Sequence, residues 1–261
     1  MPAPRSAARP RSSRGSATAL DPAELRRQAA STIRHPLTRS LLLLTFSTGL
    51  VDAASYLGLG HVFTANMTGN IVLLGFGIAG AGGLTVVAPL ISLSAFVLGA
   101  GLGGALARPA SNQERSLYRA LAIETALIAV AAVFAAVVEV RTANVSSYLV
   151  IALLAFAMGL RNATVRKLAV PDLSTTVLTM TLTALASDSR PAGGSGAGTV
   201  RRSAAVISML VGALCGALLL QVHLWLVLAV AAAVAMATRI AYRAAPRPPR
   251  ARSRYGPTAA G

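Results

Sequence analysis

Apolar residues run in long blocks along this chain, and six blocks are long enough to cross a bilayer. They cover about residues 38 to 58, 85 to 107, 117 to 138, 146 to 167, 203 to 221 and 222 to 242. At 1.5 Å per residue, a helix needs about 20 predominantly apolar residues to cross a ~30 Å hydrocarbon core. Two further apolar stretches, 64 to 83 and 174 to 188, each follow a cluster of polar residues. These two either cross or dip in and return.

The polar residues that interrupt the blocks occur twice in the same order. One copy has Gly49, Asp52, Ala53, then Thr68-Gly69-Asn70, then Gly99 and Gly103; the other has Gly159, Asn162, Ala163, then Thr179-Met180-Thr181, then Gly212 and Gly216. The first glycine and the threonine are 19 and 20 residues apart in the two copies, and the threonine and the next glycine 31 and 33. An ordered set at matched spacing indicates an internal duplication, which in multi-span proteins points to a site at the repeat interface. The repeats run over 37–140 and 141–243, between tails at 1–36 and 244–261.

Composition agrees with a membrane protein. The chain is 54% hydrophobic and 12% charged, against roughly 45–50% and 25% in soluble domains. The net charge of +16 suggests nucleic acid only until it is located. Eight arginines precede residue 40 and six lie from Arg239 to Arg254, in tails rich in Pro, Ala and Ser that read as disordered. Without interleaved aromatics this is a positive-inside signal with attraction to anionic lipid head groups, and no nucleic acid is expected. Within the first tail, Asp21-Pro22-Ala23-Glu24 opens a possible surface helix over about 22 to 30. The apolar run behind Arg34 and Arg39 contains Asp52 and precedes five more spans, so it reads as a span rather than a cleaved leader. The one cysteine, Cys215, excludes an intramolecular disulfide.

Arginine placement orients the chain. With both termini cytoplasmic, six spans keep the basic loops around Arg108, Arg115 and Arg119, around Arg166 and Lys167, and around Arg190, Arg201 and Arg202 inside; eight spans would put two of those loops outside. Three crossings per half then give the halves opposite orientation. The expected fold is an all-α membrane protein with six full transmembrane helices and two short broken or re-entrant segments, arranged as two inverted repeats in the inner membrane. Backbone that leaves a helix at membrane depth needs partners from protein or a water-filled cavity, which implies a polar interior.

Candidate chemistry sits in the repeated motifs. Asp52, thirteen residues after Arg39, lies about 20 Å across the membrane, where a carboxylate requires partners. Asn162, beside Arg161, is its counterpart, and counting rises along the helices leaves Asp52 and Arg161 about 12 Å apart in depth. Thr68, Gly69 and Asn70 would open a short helix whose N–H groups can receive a polar or anionic group. Thr176, Thr179 and Thr181 belong to a hydroxyl-rich run that either lines a path or bonds back to carbonyls one turn earlier. Glu124, two turns into the third span, has Arg119 or Arg161 as possible partner. Gly99, Gly103, Gly212 and Gly216 read as helix-packing positions. His35, His61 and His223 are scattered, so no metal or cofactor is expected, and no enzyme motif occurs.

Gly49-Leu50-Val51-Asp52-Ala53 with Asn66-Met67-Thr68-Gly69-Asn70, and Gly159-Leu160-Arg161-Asn162-Ala163 with the threonine cluster, closely resemble the YoaK family of uncharacterised bacterial multipass membrane proteins over about residues 37 to 242. The family usually has glycine after the second threonine, where this chain has Met180. The resemblance implies a bacterial inner-membrane protein and supplies no substrate. Two functions remain open: permeation of a small solute or ion at the repeat interface, or a non-transport interaction or assembly role, with homo-oligomers compatible with either.

Overall fold

The computed structural model describes residues 36–107, 113–167, 178–196 and 198–244. Eight α-helices and no strand occur among these: α1 Pro36–Gly58, α2 Met67–Ile78, α3 Val87–Leu106, α4 Gln113–Val137, α5 Val145–Lys167, α6 Leu178–Ser187, α7 Thr199–Leu220 and α8 Leu224–Ala244. All but α2 and α6 are long and apolar enough to cross a membrane, six in number. The 12 residues of α2 and 10 of α6 give only about 18 and 15 Å. Each short helix is followed by a 3-10 turn, Ala81–Gly83 and Arg190–Ala192, and then by the next long helix. The proposed tails, the surface helix at 22 to 30, the loop at 108 to 112 and Thr176 lie outside the described residues.

Burial separates the six long helices into two kinds. Two thirds of the apolar window is buried in α1 and in α5 (67% each), against 17–39% in the other four. α1 and α5 also carry the polar residues that lipid would reject, among them Ser47, Thr48, Asp52, Arg161, Asn162 and Thr164, all buried. Sequence polarity thus sends these two helices to the centre and leaves α3, α4, α7 and α8 to face lipid with Val97, Leu98, Val133 and Leu210.

The packing pairs helices from different halves. The most extensive contacts are α3 on α5 and α1 on α7, followed by α4 on α8, then α1 on α8 and α4 on α5. α2 lies on α3, and α6 on α7, while α1 and α5 touch only sparsely. Exchanging α1–α4 with α5–α8 leaves this helix-to-helix pattern unchanged. Two apolar clusters fill the interior. The larger takes Leu50 and Ala54 from α1, Ile128 from α4, Leu154 and Met158 from α5 and Leu228 from α8; the smaller takes Leu41, Leu44, Leu117, Leu121, Val165 and Ala205.

Candidate functional site

Glycines set how closely the halves approach. A Cβ on Gly99 would overlap the carbonyl oxygen of Phe156, and one on Gly103 that of Leu160. In the other copy, Gly212 meets the carbonyl of Phe46 and Gly216 the backbone of Leu50. Gly159 in turn lies against Phe96, and Gly49 against Met209. The contacts correspond residue for residue, because Phe46 and Leu50 stand to Gly49 as Phe156 and Leu160 stand to Gly159. Backbones this close replace the apolar burial that cannot drive association within lipid.

Beyond α1 the chain folds back. Asp52 lies six residues before the end of α1, about 9 Å down its axis. There its Oδ1 accepts the amide N–H of Thr64 (3.2 Å) and of Ala65 (2.9 Å). Asn70 holds the preceding residue: its Oδ1 accepts from Phe63 N at 2.9 Å, and its Nδ2 donates to Phe63 O at 2.6 Å and to Ser92 Oγ at 3.0 Å. Ser92 Oγ donates to the same carbonyl at 2.7 Å. Two buried side chains therefore satisfy three successive residues of non-helical backbone, a requirement for such backbone away from water. The N–H of Gly69, expected to receive a ligand, is instead capped by Asn66 Oδ1 at 3.2 Å, and Thr68 is exposed. Asn70 faces Ser92 near the start of α3 while Gly77 meets Thr85 and Val86, so α2 runs antiparallel to α3.

Between the two apolar clusters lies a charged layer. Arg161 on α5 donates from Nη1 to Glu124 Oε1 on α4 at 2.8 Å and, more weakly, to Leu44 O at 3.4 Å. Its Nη2 donates to Thr48 Oγ1 on α1. The side chains of Arg161 and Glu124 are 1% and 0% exposed. Arg161 Nε and Glu124 Oε2 are buried without a hydrogen-bond partner. This guanidinium bridges α1 and α5, whose backbones otherwise touch only sparsely. Thr48 and Asp52 are four residues apart on α1, hence on one face, so Arg161 reaches within a turn of Asp52. The 12 Å depth difference counts backbone rises alone, and the long arginine stem spans part of it. Arg161 nonetheless pairs with Glu124, while Asp52 serves its own loop. Glu124 and Thr48, absent from the principal candidates of the sequence, belong to this layer; the charge of Glu124 two turns inside a span is the signal that marks it.

The second motif is arranged differently. Asn162 and Thr181 are buried, but Thr179 is exposed and its carbonyl accepts the hydroxyl of Thr183 at 2.9 Å. Thr181 and Asn70 are the buried residues of their respective short helices. At the far end of α6, Arg202 from α7 bonds Asp188 Oδ2 at 2.8 Å and Ala184 O at 3.0 Å. The threonines of the long helices mostly bond back one turn, as Thr45, Thr125, Thr164 and Thr238 do.

One end of the bundle holds a pocket of about 170 Å³ lined by Leu59, Gly60, His61, Gly83, Leu84, Thr85, Ala88, Thr142 and Ala143. His61 (φ 57°) and Ala143 (φ 58°) are the non-glycine residues with left-handed backbone among those described, and both line it.

A family model described as "Protein of unknown function (DUF1275)" matches residues 40–241. The chain is also 39% identical over 150 residues to the UPF0700 transmembrane protein YoaK of Bacillus subtilis (strain 168), a match covering 57% of this chain and 65% of that one. It therefore spans slightly less than two thirds of that relative's length. No solved structure matches.

Proposed function

This chain belongs to the DUF1275 family of unknown function, as a multipass membrane protein, and on that premise we propose that it is a permeation protein for a small solute or ion whose path runs between α1 and α5. The observation that carries the reading is the buried polar set on and beside the two most buried spans: Thr48 and Asp52 on α1, Arg161 on α5, and Glu124 reaching Arg161 from α4. Charges within a bilayer are costly and characteristically mark solute or ion pathways. The pocket beside His61 forms the mouth at one end.

The reading includes two inverted repeats. It is supported by the exchangeable packing of α1–α4 with α5–α8, by the matched glycine contacts, and by three long helices per half. Arginine placement supports cytoplasmic termini and an inner-membrane location, with α2 and α6 as re-entrant elements entering from opposite sides. Lipid head groups are the partners of the basic ends, and no bond chemistry is involved.

The apolar clusters on both sides of the layer favour a second reading, in which these residues only fasten helices. Reconstitution in liposomes separates the two. Permeation predicts flux of a small ion or solute that Glu124→Gln and Asp52→Asn diminish by tenfold or more while the protein remains folded. A fastening role predicts no flux by any form, with loss of stability in the same variants.

A further inference from the structure

Two cations are gathered on one aromatic ring and left without a counter-ion. Arg239 and Arg243 lie four residues apart near the end of α8, hence on one face of it. Tyr118 lies near the start of α4, which packs along α8. The guanidinium carbon of Arg239 stands 4.4 Å from the centre of the Tyr118 ring, and that of Arg243 stands 5.9 Å from the same centre. Both lie within the ~6 Å over which a ring face attracts a cation. The ring fixes where the two charges sit and neutralises neither.

Like charges one helical turn apart repel, so the pair calls for a negative group beside it. Among the described residues, the carboxylates in ion pairs are Glu139, Glu124 and Asp188, bonded to Arg141, Arg161 and Arg202; none meets Arg239 or Arg243. A second observation concerns hydrogen bonding. Arg239 Nε is buried without a partner, and its Nη1 has only the weak acceptor Met236 Sδ at 3.9 Å. Stacking on Tyr118 occupies the flat face of the guanidinium and leaves its N–H edges free to donate. Tyr118 and Arg239 sit close to the ends of the spans Ser116–Val137 and Leu224–Arg243, at the level of lipid head groups. Met236, Arg239, Ile240 and Arg243 follow at the i, i+3, i+4, i+7 spacing of one helix face, and Met236 and Ile240 are exposed. Cationic donors thus lie directly beyond an apolar strip.

We propose that the α4–α8 edge around Tyr118 binds one anionic phospholipid, its phosphate held by Arg239 and Arg243 and an acyl chain lying along Met236 and Ile240. The inference rests on the reading that lipid head groups are the partners of the basic ends, and narrows it to a single defined site. Guanidinium forks match phosphate oxygens, and basic pockets between spans take lipid head groups. The head group must carry net negative charge, because choline would set a further cation against two guanidiniums.

The test uses the purified full chain in a zwitterionic detergent. Its melting temperature is followed as phosphatidylglycerol, phosphatidylcholine or inorganic phosphate is added, and native mass spectrometry counts the phospholipids retained. Phosphatidylglycerol should give a saturable gain, roughly 5–10 °C at 100 times its dissociation constant, with one molecule retained most tightly. The other two should give far less. Arg239→Gln and Arg243→Gln should each weaken that binding tenfold or more. Tyr118→Leu keeps both charges and should weaken it too, because the ring positions them. Arg166→Gln removes an equal charge from the last turn of α5, at the same end of the bundle, and should change the affinity less than twofold.

Equal stabilisation of the unmodified protein by phosphatidylglycerol and phosphatidylcholine overturns the proposal together with the broader lipid reading, and that comparison needs no variant to fold. An equal response to inorganic phosphate overturns it by assigning the site to a free anion. A preference for phosphatidylglycerol that Arg166→Gln weakens as much as Arg239→Gln does sinks the single site and spares the general attraction of the basic ends to lipid.

Discussion

Asp52, in the first half, commits a carboxylate oxygen to the half's own returning loop, whereas Arg161, beside the matching position in the second half, reaches out of its half to α1 and α4. The glycine contacts around these two positions are nevertheless equivalent. Backbone fit is therefore the shared part of the architecture, and charge is the part that differs. Closely packed helices tolerate little change in shape, while a polar side chain can be exchanged provided its partners change with it.

That contrast can be broken most severely at Arg161. Arg161→Ala would leave Glu124 buried and unpaired, at a cost of about 3–5 kcal/mol; unfolding in micelles should show it, and joint replacement of both residues by leucine should recover much of the loss. Gly99→Val and Gly212→Val test the shared part. Each should cost about 1–3 kcal/mol or more by overpacking, and the two losses in melting experiments should be alike; markedly unequal losses would sink the equivalence of the halves. Asn70→Ala removes the clamp on Phe63 and should cost about 1–3 kcal/mol, with faster hydrogen exchange at the Phe63 amide than elsewhere in the loop. Asp52→Asn is the mildest change. An amide oxygen still accepts from Thr64 and Ala65, so the loss should be near 1 kcal/mol, read as slightly faster exchange at those two amides.

The long helices were legible because length and apolarity alone define them: the windows at 146 to 167 and 85 to 107 became Val145–Lys167 and Val87–Leu106. Both short helices open on their polar motifs, Thr68-Gly69-Asn70 following Met67 and Thr179-Met180-Thr181 following Leu178. Partnerships were harder to read. Asp52 is held by backbone amides, which leave no mark in side-chain identity, and Glu124 and Arg161 lie 37 residues apart on helices whose rotation the sequence does not define. Thr48 donates back to Leu44 at 2.8 Å like several other threonines, so nothing local distinguishes its second role as an acceptor for Arg161. Thr68 and Thr179 carry the repeat's most regular spacing yet are exposed, because the second position of each short helix faces away from its neighbour.

The pairing of α1 with α7 and of α3 with α5 reaches into biosynthesis. Gly49 leaves the ribosome 163 residues before Gly212, a delay on the order of 10–30 s at ordinary elongation rates. Throughout that interval α1, with Asp52 on it, waits without the surface it will eventually press against. A nascent first half must be sheltered by lipid or by the insertion machinery, and neither half severed from the other can complete its own core.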